Sequence, residues 1–189
     1  MSVSSIQYAG NGNFNMVVNG QSQTFNLADL NTMLRMDQVA QYDQSIADQL
    51  SEIQKTNQKR KALNQLLSKF RQMKAEGRDD DGEASAWNGK GSGHFALEGE
   101  SGTRSAHGWL EYYGLTVTDV DHSTSASTRD AAWDANINAV KSRVDNITSD
   151  SEMQMLRFRQ MVDKRGTALQ EAKTTLANDK RLKDAIVQG

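Results

Sequence analysis

The chain has 189 residues with 22 basic and 24 acidic side chains, is 37% hydrophobic and 6% aromatic, and contains neither cysteine nor proline. The lack of cysteine excludes disulfides, thiolate catalysis and cysteine-dependent zinc sites. The lack of proline, against about 5% in an average protein, permits long unbroken helices. A near-neutral balance argues against general nucleic-acid binding, and apolar runs such as Met16-Val17-Val18 are too short to span a bilayer.

Charge and glycine are segregated along the chain. Residues 30–76 carry 8 basic and 5 acidic side chains, residues 77–128 carry 3 and 9, and residues 129–189 carry 11 and 9. The middle segment also holds 9 of the 14 glycines and all three histidines. This pattern predicts two long helices flanking an irregular acidic insert.

Residues 1–28 are expected to hold a mobile Ser/Asn/Gly-rich stretch over 1–13, followed by a β-hairpin. In the hairpin, Phe14–Val18 and Gln23–Leu27 flank Asn19-Gly20-Gln21-Ser22, and Asn-Gly between short apolar runs is a hairpin signal. An isolated hairpin is barely stable in water, so it needs a helix to lie on.

The first long helix is expected over 29–76. Asn26 is placed to cap it, and Asp29 sets negative charge at the positive end of the helix dipole. Apolar residues recur at Met36, Val39, Ile46, Leu50, Ile53, Leu63, Leu67 and Phe70, mostly in steps of three or four. Extending the rhythm from Ile46 puts Asn57 and Arg60 in the seam, either as register-setting polar residues or as a local unwinding. Gly77 supplies the C-terminal stop.

The insert, residues 77–127, is expected to be mixed α/β. It has a strand at 94–97, a short helix at 105–113 ended by Gly114, and an alternating strand at 115–120. Trp109, Leu110, Tyr113, Leu115, Val117 and Val120 then form a small satellite core, with a partner surface as the alternative. His94, His107 and His122 match no metal-ligand spacing. Asp79–Glu83 fails the calcium-loop pattern at its first and twelfth positions. Gly89-Lys90-Gly91-Ser92-Gly93 lacks the order and the preceding strand of a phosphate loop. Basic runs at 59–61 and 157–165 read as solvated faces or pairing across helices. No catalytic residue, cofactor or metal is expected.

The second long helix is expected over 128–187, capped by Ser127 or Thr128. Trp133, Ile137, Val140, Val144 and Ile147 are spaced 4, 3, 4, 3, and Met155, Phe158, Val162, Arg165, Leu169, Ala172 and Leu176 are spaced 3, 4, 3, 4, 3, 4. The break at Thr148–Ser151 is expected to be a stutter or a short interruption. The fold class is therefore α+β and mainly helical. It combines a long antiparallel coiled-coil hairpin, a small mixed insert and an N-terminal β-hairpin.

The stretches Ala132–Ile137, Val144–Leu156 and Arg159–Arg165 resemble the closing helix of type III secretion needle-tip and extracellular filament proteins. That helix has a Ser/Asp-rich break, a Met/Leu/Gln-rich run and a Lys-Arg pair. The likeness is close over about sixty residues and otherwise one of outline. The chain departs from the larger tip proteins in lacking a helical hairpin before the first long helix. The resemblance implies export without a cleaved leader, assembly at the bacterial surface, and docking on a needle subunit in support of translocator proteins. Self-association and a dedicated export chaperone are also implied. The partner-binding candidates carried over are Met155, Phe158, Val162, Leu169, Leu176, Leu182 and Ile186, with Arg181 and Lys183 as rim charges. For Phe158, Val162 and Leu169 the competing expectation is burial against the first helix. Leu182 and Ile186 lie beyond the regular repeat. Competing functional readings are a cytoplasmic coiled-coil chaperone or regulator of secretion, a small hydrolase or metal protein using the histidine-bearing insert, and a phage or flagellar structural protein.

Overall fold

The computed structural model describes residues 3–10, 13–18, 21–77 and 93–188. The elements in chain order are β1 (Val3–Gly10), β2 (Asn13–Val18), β3 (Gln21–Asn26), α1 (Leu27–Ala75), β4 (Phe95–Ala96), β5 (Thr103–Arg104), α2 (Ala106–Tyr112) and α3 (Ala126–Gln188). The protein is mostly helical, with α1 and α3 packed together. It divides into two compact units, Met1–Leu50 with Leu156–Gly189, and Ser51–Met155. The division cuts across both long helices, whereas the sequence suggested consecutive segments.

In the first unit, β1, β2 and β3 form an antiparallel sheet in that order. The hairpin forms, but its second strand runs over Gln21–Asn26 rather than Gln23–Leu27, so Val18 lies opposite Gln21 and Phe14 opposite Phe25. Residues 3–10, read from sequence as mobile, instead pair as β1 along β2 with Ile6 opposite Met16 and Tyr8 opposite Phe14. The third strand gives the hairpin a partner on its other edge, which a two-stranded ribbon needs for stability. Tyr8 and Phe14 meet edge to face with ring centroids 5.4 Å apart.

Helix α1 starts at a reciprocal cap. The Asp29 amide donates to Asn26 Oδ1 at 2.8 Å and the Asn26 amide to Asp29 Oδ2 at 3.4 Å, so each residue satisfies a backbone donor of the other. Within this unit Arg35 pairs with Glu171 at 2.8 Å and Asp43 pairs with Arg165. Rising numbers on α1 meet falling numbers on α3, so the segments run antiparallel. Among the described residues, the buried apolar side chains of this unit are few: Met16, Val39, Ala168 and Ala172.

The second unit holds the main core. From α1 it takes Ala62, Leu63, Leu66, Leu67, Phe70 and Met73, and from α3 Ala132, Trp133, Val140 and Ile147. Phe70 meets Trp133 edge to face at 5.5 Å, and Lys74 pairs with Asp134 at 2.6 Å. The insert does not form a satellite core. Leu97, Trp109, Leu110, Tyr113 and Val120 belong to the same cluster as the helix residues.

Several boundaries differ from the sequence reading for local reasons. Helix α3 begins at Ala126, because Ser125 rather than Ser127 or Thr128 receives the first-turn amides. It passes through Thr148–Ser151 without interruption; Thr148 Oγ1 donates to the Val144 carbonyl at 2.9 Å, which keeps its hydroxyl within the helix. Helix α1 is continuous at Asn57, which is exposed, while Ile53 and Ala62 on either side are buried. The buried positions pass from Ile53 to Ala62, Leu63 and Leu66 without including Asn57, so Asn57 is no seam residue. Residues 115–120 form no strand with any of the described residues. Gly77 and Gly114, at φ 68° and 62°, end α1 and α2 in the left-handed region that glycine adopts without a Cβ clash.

Candidate interaction surface

The last third of α3 is the part the sequence marked for partners. Ala168 and Ala172 are buried, and Arg165 is tied to Asp43. The neighbouring heptad row consists of Met155, Val162, Leu169 and Leu176. Val162 is 41% and Leu176 50% exposed, Met155 is also exposed, and Leu169 is half-buried, as is Phe158. The buried positions are thus the small alanines, and the larger residues one position round are the more exposed ones. Within the chain, burial against α1 therefore takes in Phe158 and Leu169 only partly, and Val162 less. Arg181 is exposed. The side chains of Leu182, Lys183 and Ile186 lie outside the described residues.

Two further residues of the first unit are also outward and apolar: Leu27, expected at the end of the hairpin but the first residue of α1, and Leu34. Leu27 and Leu34 are each 66% exposed. Their seven-residue spacing, with Leu30 between, was the available signal. A shallow groove of about 900 Å³ runs beside the α3 row and is lined in part by Asn31, Arg35, Val162, Gly166 and Glu171.

The insert builds a different kind of site. Ser105 caps α2 by accepting from the Gly108 amide at 3.1 Å. This turns Trp109 into the core, where its Nε1 donates to the Phe95 carbonyl at 3.0 Å. The Arg104 guanidinium lies over the Trp109 and Tyr112 rings, 4.6 and 4.1 Å from their centroids. Tyr112 and Tyr113 both donate their hydroxyls to Glu100, at 2.8 and 2.9 Å. Burial, then the Glu100 carboxylate, raises the Tyr113 phenol well above its ordinary range, so it stays a hydrogen-bond donor. The cation seat of this aromatic cluster is filled by Arg104, which makes the cluster a clasp between β5 and α2. On α1, Lys61 and Gln65 hold Glu98, and the Lys61 hydrogen bond and charge lower the Glu98 pKa.

The histidines do not converge. His94 is exposed, His107 lies 3.5 Å from Glu111, and His122 lies 3.8 Å from Asp121. Among the described residues no group of three His, Cys, Asp or Glu side chains is placed to hold a metal ion. The acidic run 79–83 and residues 89–92 lie outside the described residues. Among the described residues no helix is long and apolar enough to cross a membrane. No protein-family model, curated protein or solved structure matches the chain.

Proposed function

We propose that this chain is a structural, non-enzymatic tip or tip-filament protein of a bacterial type III secretion apparatus. It is exported to the cell surface, where it docks on the needle subunit, associates with copies of itself and supports the translocator proteins. In this reading α1 and α3 form an antiparallel coiled-coil hairpin, and the acidic insert faces host or translocator. The observation that carries it is the half-exposed row Met155, Val162, Leu169 and Leu176 on α3. An apolar heptad row that the chain's own fold leaves largely uncovered is suited to packing against another helix.

Fractionation of a secreting culture tests the proposal. The chain is expected in the medium and on the cell surface, dependent on the secretion machinery, and to copurify with needle subunits. Replacing Val162 and Leu176 with serine is expected to abolish copurification while leaving export intact. Retention in the cytoplasm, bound to an export substrate, would reject the tip assignment in favour of a chaperone or regulator.

A further inference from the structure

We infer that copies of this chain associate head to tail, the outer face of α1 in one copy packing on the outer face of α3 in the next. This rests on the assembly reading above and deepens it by naming the two faces.

The first observation is charge. Residues 27–50 of α1 carry four aspartates and one arginine, whereas residues 156–188 of α3 carry eight basic and four acidic side chains. Part of this opposition is used inside the unit, by Arg35 with Glu171 and by Asp43 with Arg165. Of the remainder, Asp37 and Asp48 on α1 and Arg157, Arg159, Lys164, Lys173, Lys180 and Arg181 on α3 are exposed. Leu27, Leu34 and Asp48 share one heptad row of α1, with Asp37 three residues beyond Leu34. Asp37 and Asp48 are exposed and accept hydrogen bonds from Gln41 and Gln44 of their own helix. On α3, Arg159, Lys173 and Lys180 form the row beside Val162, Leu169 and Leu176, and all three are exposed. Each helix therefore offers an apolar row edged by charge, acidic on α1 and basic on α3. Like edges repel and unlike edges attract, which is how flanking charges choose partners between helices.

The second observation is direction. At about 100° per residue, the Leu27/Leu34 row lies roughly 130° from buried Val39, and the Val162/Leu176 row roughly 80° from the face of Ala168 and Ala172. Both displacements have the same rotational sense when the antiparallel helices are viewed from one end. The two rows thus fall on opposite sides of the unit. A two-fold dimer cannot satisfy both at once. A heterologous contact can, and it propagates into a ring or a helical filament.

Sedimentation velocity on the full-length chain, across concentration and salt, tests the inference, with circular dichroism as the folding check. The wild type is expected to grow past dimer with concentration, and less so at high salt. Asp37→Lys with Asp48→Lys, and separately Arg159→Glu with Lys173→Glu, should each weaken self-association by about tenfold or more. Mixed one to one, the two variants should again grow past dimer, because the intact faces pair and the reversed faces, lysine against glutamate, pair with each other. If either charge variant misfolds, Leu27→Ser with Leu34→Ser and Val162→Ser with Leu176→Ser give a second pairing test, whose one-to-one mixture should form a dimer and stop there, because each contributes one intact face. A wild type that stays monomeric or stops at dimer, variants that assemble like wild type, or a mixture that stays monomeric would each overturn the inference. Culture fractionation decides export separately, so a monomer in vitro would not be mistaken for a failure of secretion.

Discussion

Asn136 is the most consequential polar side chain of the second unit. It is fully buried, its Oδ1 accepts from the Thr118 amide at 2.9 Å, and its Nδ2 donates to the Thr118 carbonyl at 2.6 Å. Residues 115–120 have the alternation of a strand but no neighbouring strand among the described residues, so a side chain on α3 takes the place of a ladder. Leu115, Val117 and Val120 are thereby held against the core. Removing the amide strands a backbone donor and acceptor in a partly buried setting, which costs about 1–3 kcal/mol. Asn136→Ala should lower urea-unfolding stability by that amount. A change indistinguishable from zero would mean that water replaces the amide. Glu100 has a comparable role for the tyrosine pair, and neither residue stands out by type or spacing in the sequence.

Among the elements, α1 has the best-defined start. The Asn26–Asp29 exchange fixes its first turn directly after β3, so sheet and helix share a junction with no intervening loop. Asn26→Ala is expected to cost about 1 kcal/mol, read as faster amide exchange over residues 27–31 with unchanged exchange over 62–73. Equal acceleration in both segments would show that α1 unfolds as one piece. The sheet gains from the same economy: β2 is central, β1 and β3 supply its edges, and Met16 is buried. Helix α3 tolerates Thr148, Thr167, Thr174 and Thr175 in its interior because each hydroxyl bonds a carbonyl four residues back.

At the scale of the whole molecule the apolar side chains are distributed unevenly. The second unit buries two tryptophans, Phe70 and a layer of leucines. The first unit buries mainly Val39, Met16 and two alanines, while Leu27, Leu34, Val162 and Leu176 face out. Local stability follows buried apolar contact. In dilute solution, amides over 62–73 and 132–147 should therefore exchange slower by about two orders of magnitude than those over 30–46 and 158–176. Hydrogen exchange measured by mass spectrometry checks this; uniform protection would contradict it. Self-association through the proposed faces should then slow exchange selectively in the first unit, where assembly would supply the missing burial.

The two long helices, their approximate ends, the cap at Asn26 and the stops at Gly77 and Gly114 are legible in the sequence, because periodicity, capping residues and glycine act over a few neighbouring residues. The β2–β3 hairpin is legible for the same reason, while its register, set by a second strand that starts at Gln21 rather than Gln23, is not. The α3 row was also marked in advance by its spacing, although spacing alone cannot say which of two adjacent heptad rows faces the partner helix. Tertiary structure decided that. Ala168 and Ala172 are buried there, while Val162 and Leu176 are exposed. Tertiary structure also turned residues 3–10 into a strand, merged the insert aromatics into the main core and gave Asn136 its role. Each of these outcomes depends on a partner distant in sequence, and no local rule specifies which distant group will be there.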